Sequence, residues 1–150
     1  MTETTPAPVG LAARFGLSAE DLRPNARHAK SLRDSGRAEE ALRIFATLVL
    51  AAPEDVGFQL GLADSALATG RPEVALQAAA AAIAFDPKNP VAFLASGLAC
   101  LAMDEPALAR EDLADALRLS EAAPASAEAH KAAGRIAARL LAGLAGSADG

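Results

Sequence analysis

The sequence predicts an all-α protein built from tandem helix hairpins, and three observations carry that prediction. Of its 150 residues, 41 are alanine and 21 are leucine, the strongest helix formers. Five Phe stand against no Trp and no Tyr, and β-branched residues are few, which disfavours a sheet. The third observation is a step of 34 residues: Gly36, Gly70 and Asp104 share one register, as do Ala29, Ala63 and Gly97, then Ala41, Ala75 and Ala109, then Pro53 and Pro87. Alanine coincidences are cheap here, but glycine and proline occur only 11 and 9 times and punctuate helices, so their steps carry the weight.

Taken in order, residues 1–21 form an N-terminal arm, partly disordered, with a short amphipathic segment from Val9 to Phe15. Within Leu17-Ser18-Ala19-Glu20-Asp21-Leu22, Ser18 reads as an N-cap with an acid three residues on, and Leu17 and Leu22 as a hydrophobic staple. Three units follow, 22–55, 56–89 and 90–123, each a helix A, a glycine turn, a helix B and a proline-marked exit. In the second unit helix A runs from about Asp55 to Thr69, Gly70 takes the left-handed position after it, and Pro72 opens helix B, which ends near Phe85 before Asp86-Pro87. In the third, Asp104-Glu105-Pro106 reads as a carboxylate cap and a first-turn proline. The first unit is the most irregular, because Pro24 interrupts its start and polar His28 stands at an apolar position. Ala29, Ala63 and Gly97 on the A helices, against Ala41, Ala75 and Ala109 on the B helices, mark crossings that need small side chains. Residues 124–145 read as a C-terminal capping helix with Ile136, Leu140, Leu141 and Leu144 on one stripe and Lys131, Arg135 and Arg139 opposite. The remainder, 146–150, is a frayed tail.

Composition excludes several function classes. The longest charge-free runs, Val74 to Phe85 and Pro90 to Met103, fall short of the roughly 20 residues that a spanning helix needs, so direct membrane insertion is not expected. The N-terminus lacks a basic region followed by an apolar one, and the single Cys100 offers no disulfide, so the cytoplasm is the expected compartment. A net charge of −5 and a pI near 5.0 argue against nucleic acid as a partner. His28 and His130 lie far apart in sequence, Cys100 falls at a core position, and the pairs Glu39-Glu40 and Glu111-Asp112 read as outward-facing charge. With no Walker, GxGxxG, HExxH or GxSxG spacing, no enzymatic activity, cofactor or metal is expected.

Helix A faces are the informative surfaces. If Phe93, Gly97 and Cys100 face the hairpin core, then Leu94, Leu98 and Leu101 lie together on the adjacent concave face, and Leu60 and Leu67 occupy equivalent positions with Asp64 between them. In the first unit those positions hold Ala26, Lys30 and Arg33, with Arg23 and Arg37 nearby. The face is therefore expected to be a groove, apolar at one end and basic at the other, suited to a protein or peptide client. The alternative is that the leucines are covered by the C-terminal helix or a second subunit, and that Lys30 and Arg33 are ordinary solvated charge.

The register resembles the tetratricopeptide repeat, which has small residues at its eighth and twentieth positions, glycine near the fifteenth and proline at the thirty-second. The implied fold is three tandem tetratricopeptide-like helix-turn-helix repeats forming a short right-handed solenoid with the arm and cap at its ends. The run Phe58-Gln59-Leu60-Gly61-Leu62-Ala63, the small-residue spacing through Gly70, and Asp86-Pro87 followed by Pro90 are similar to the class II chaperones of type III secretion systems, over residues 22 to 122. That resemblance implies a cytosolic bacterial chaperone that holds an extended apolar segment of a translocator protein, keeps it soluble and export-competent, and dimerises through its N-terminal arm. The groove positions it implies are Ala26, Lys30, Arg33, Ala38, Phe58, Leu60, Leu67, Leu94 and Leu98. Members of that family place aromatic residues where this chain has Ala26, Lys30, Arg33 and Ala38, which leaves a different client motif or a charge-steering role open. A general scaffold that bridges folded partners is the second reading.

Overall fold

A computed structural model describes residues 10–147. Among these described residues eight α-helices follow one another: α1 Leu11–Arg14, α2 Arg23–Asp34 after a 3-10 turn at Glu20–Leu22, α3 Ala38–Ala51, α4 Val56–Ala68, α5 Pro72–Phe85, α6 Pro90–Ala102, α7 Pro106–Ala122 and α8 Glu128–Ser147. From α2 onward each helix packs on the next, and α4 also touches α2 and α6, while α6 touches α8. The helices α2, α4, α6 and α8 thus form one layer, and α3, α5 and α7 the other. The N-terminal part of the expected arm, including Val9, and positions 148–150 of the expected tail lie outside the described residues.

The hairpin turns repeat at the backbone level. Arg37, Arg71 and Glu105 each donate an N–H five residues back, to Leu32, Ala66 and Cys100, at 2.8, 2.8 and 2.9 Å. That bond spans a residue in the left-handed region, which Gly36 and Gly70 supply at φ +85° and +74°. The third turn uses Asp104 instead, at φ +59°. This corrects the expected carboxylate cap: Asp104 is the left-handed turn residue, Glu105 takes the N-cap position, and neither side chain caps α7. True side-chain caps stand at the second and third A helices, where Asp55 accepts from the Phe58 N–H at 2.9 Å and Asn89 from the Val91 N–H at 3.0 Å. Upstream of α2, Asp21 reaches back to accept from the Ser18 N–H at 2.7 Å, half of a capping box.

Crossing positions are filled as the small residues require. Ala29, Ala63, Ala41, Ala75 and Ala109 are all fully buried. At Gly97 an added Cβ would stand 2.9 Å from the Leu113 side chain, so the approach of α6 to α7 leaves no space for a methyl group. Pro24 does not interrupt α2, because it sits in the first turn, where the missing N–H has no partner to lose.

The C-terminal end departs further from expectation. The buried face of α8 is Ala133, Gly134 and Ala137, with Leu140, Leu141 and Leu144 packed beside it, whereas Ile136 points out at 42% exposure. Close approach decides this: Gly134 lies directly on Ser120, and a Cβ there would overlap its hydroxyl. Lys131 does not stand opposite the stripe but turns in, donating from Nζ to the Ser120 carbonyl at 2.8 Å, which satisfies an end carbonyl of α7. The helix also continues through the expected start of the tail, to Ser147. Asp112, expected to face outward, is drawn onto α6 by the buried Ser96 hydroxyl, which donates to it at 2.6 Å.

Candidate functional site

A cavity of about 270 Å³ opens between α2 and α4. Its floor is built from both layers. Phe58, on the first turn of α4, is fully buried, and Phe45 reaches up from α3 beneath Gly61, where any Cβ would overlap its ring. Glycine at this one point of α4 is therefore the condition for the Phe45 ring to lie between the two layers. Ala26, Leu60, Gly57 and Gly61 complete the apolar part of the lining.

The rim is charged, and four of its five charged residues are basic: Arg23, Arg27, Lys30 and Arg33, with Asp64 the exception. Spacings of three and four residues put these cations on one stripe of α2. They are not equivalent. Arg23 pairs with Asp55 at 2.8 Å, and its guanidinium lies over the Phe58 ring at 5.3 Å from the centroid. Because Asp55 also caps α4, one carboxylate fixes both the helix start and the arginine. Arg33 bridges to Asp64 across the groove at 2.9 Å, an ion pair on the exposed surface worth about 0.2–1 kcal/mol. Arg27 and Lys30 are exposed and, among the described residues, have no acidic partner within ion-pair distance.

Asp64 is half exposed by surface area, yet the crowding of the concave face withdraws enough water to push its carboxyl above the ordinary carboxylate value, and Arg33 only partly offsets this. At the other end of the layer, Cys100 is buried. Burial pushes its thiol up, and the neighbouring Asp112, which accepts its weak S–H bond at 3.8 Å, adds to the shift, which disfavours the thiolate. Among the described residues no three His, Cys, Asp or Glu side chains converge on a common point.

The structure sorts the eleven sequence-derived positions into two groups. Ala26, Lys30, Arg33, Phe58, Leu60 and Asp64 line the α2/α4 cavity. Ala38 sits at the start of α3, outside it, and Leu67 packs against the alanines of α4 and α5. Leu94 is only 8% exposed and belongs to the core with Cys100 and Leu113, which corrects its placement on an open groove. Leu98 and Leu101 are half-buried in the same cluster as Leu140, Leu141 and Leu144 of α8. Leu94 thus shares a core with Ala133 and Ala137 of the C-terminal helix, as in the alternative reading of these leucines, while Leu98 and Leu101 stay half-buried at its edge. Arg27 and Gly57 went unmarked because neither occupies the leucine-equivalent positions. Phe45 was missed because a reading confined to the A helices does not look for a B-helix side chain on the concave face.

A family model for the tetratricopeptide repeat matches residues 27–90. The Yersinia enterocolitica type III secretion translocator chaperone SycD superposes with a TM-score of 0.79 at 23% identity, covering 91% of this chain and 99% of its own. The fold is that of the translocator chaperones. PcrH from Pseudomonas aeruginosa, another structure of this fold, superposes with a TM-score of 0.78 at 24% identity over 90% of this chain and 99% of its own. A type III secretion complex from Aeromonas hydrophila gives 0.82 at 21% over 93% and 91%. PcrH has been solved with the chaperone-binding regions of PopD and of PopB, and SycD with a peptide of the translocator YopD. No curated protein matches the chain by sequence.

Proposed function

We propose that the chain is a cytoplasmic bacterial chaperone that holds an apolar segment of a type III translocator in its concave groove and keeps that client soluble and export-competent. It binds and does not catalyse. The observation that carries this reading is likeness over nine-tenths of the chain to chaperones solved with translocator segments, joined to an open apolar cavity of this chain's own. Units 22–55 and 56–89 supply that cavity, unit 90–123 with the helix at 124–145 closes the opposite end, and no described helix is long and apolar enough to cross a membrane. A second copy has an apolar surface to meet at Leu11, Phe15 and Leu17, all exposed around α1 and the turn after it.

Co-expression with a translocator that is insoluble alone is the direct experiment. The wild-type chain is expected to bring the client into the soluble fraction, and Leu60→Glu to lose that rescue while keeping its helical content. Rescue by Leu60→Glu equal to wild type would show that the client sits elsewhere. A general scaffold would instead bind folded partners with no competition from a short peptide.

A further inference from the structure

The cavity between α2 and α4 carries more information than an apolar groove requires. The chain as a whole bears a net charge of −5, yet the cavity rim is strongly cationic. Of its four cations, Arg23 and Arg33 already have carboxylate partners, whereas Arg27 and Lys30 are exposed with none among the described residues. An apolar client side chain seated against Ala26, Gly57 and Leu60, above the buried Phe45 and Phe58 rings, would therefore carry its neighbouring residues alongside two unneutralised cations. The stripe from Arg23 to Arg33 is about 15 Å long at the helical rise per residue, which matches about five residues of extended chain.

We infer that this cavity selects client segments in which one apolar side chain is flanked, within two residues, by aspartate or glutamate. The inference rests on the chaperone reading above and names the chemistry of its client. At about 270 Å³ the cavity has room for one apolar side chain, and its open rim lets the flanking residues of an extended segment run past it. Arg27 and Lys30 then meet the flanking carboxylates at the rim, where they add association rate and selectivity. A nucleic acid fits the charge but not the floor: the Phe58 ring is fully buried and Phe45 nearly so, leaving neither face open for a base to stack on.

The chain has no tryptophan, so a peptide indole reports its own burial. The probe is an end-blocked peptide, Gly-Ser-Asp-Glu-Trp-Glu-Asp-Ser-Gly, with one counterpart in which Asn and Gln replace the acids and another in which Lys does. The acidic peptide is expected to show a blue shift on binding, at least about tenfold tighter than the amide peptide and tighter still than the lysine peptide, with the difference shrinking as salt rises. Arg27→Glu with Lys30→Glu should weaken the acidic peptide about tenfold and remove its advantage over the amide peptide. Should that double variant not fold, Arg27→Gln with Lys30→Gln carries the same comparison, with an expected loss of about three- to fivefold. Equal affinity for the three peptides, no blue shift with any of them, indifference to the rim variants, or equal competition by a single-stranded oligonucleotide would overturn the inference. The outcomes separate the two readings. Peptide selectivity without translocator rescue sinks the chaperone assignment alone, and rescue without peptide selectivity sinks the acidic-client inference alone.

Discussion

The two ends of the concave helix layer are built on the same 34-residue register, yet one is open and the other filled. Between α2 and α4 the layer leaves a cavity floored by Phe45 and Phe58 and rimmed by cations. Between α6 and α8 the corresponding space holds a core that joins Leu94 to Ala133 and Ala137, with Leu98, Leu101, Leu140, Leu141 and Leu144 half-buried around it. The repeat sets the positions of helices, whereas the helix that comes next decides whether an apolar face becomes a surface or a core. At the closed end the chain supplies that helix itself, and at the open end it presents arginine and lysine, which cannot be buried without a partner.

The largest expected effect comes from placing the same charge at both ends. Leu94→Glu buries an unpaired carboxylate and should cost on the order of 4 kcal/mol in urea unfolding. Leu60→Glu, at the half-exposed cavity wall, should cost about 1 kcal/mol or less. Equal losses would mean that the two ends are not packed differently. Next is Gly61→Ala, expected to cost about 1–3 kcal/mol because its methyl group meets the Phe45 ring. Made together with Phe45→Ala it should cost almost nothing further, a coupling that a double-mutant cycle measures.

Smaller effects belong to the turns. Gly36→Ala should lose about 1 kcal/mol, whereas Asp104→Gly should gain about 0.5–1 kcal/mol, since only the third turn asks a side-chain-bearing residue to hold positive φ. Smallest is a pH effect. Because Asp64 holds its proton more tightly in the folded state than in the unfolded chain, its contribution to stability is greatest in acid. It is lost as pH rises from the ordinary carboxylate value through the higher folded one. The stability of wild type relative to Asp64→Asn should therefore fall between pH 3 and 7 and then level off, and a rise over that window would reverse the assignment.

The helix boundaries of the second unit, the Gly36 and Gly70 turns and the alanine crossings were legible because each rests on a local rule acting within one hairpin. The basic end of the groove was also legible, since Lys30 and Arg33 share a helix face with Ala26. Partnership across hairpins was not. Leu94 and Leu60 occupy equivalent register positions, and only the packing of α8 makes one core and the other surface. Phe45 is 16 residues from Gly61 in sequence and on the other layer, so their interlock follows from how α3 and α4 dock. Asp112 reads as surface charge on α7 until the Ser96 hydroxyl on α6 is brought within 2.6 Å.

Methyl-sized contacts at the crossings also govern where this chain can change length. One residue inserted within any of the six hairpin helices would rotate everything beyond it by about 100°, swinging Ala29, Ala63 or Gly97 away and bringing a larger neighbour into a gap that has no space for it. Insertions are therefore confined to the turns near residues 36, 70 and 104 and the exits near 53 and 87, and natural variation in length should collect at those five points.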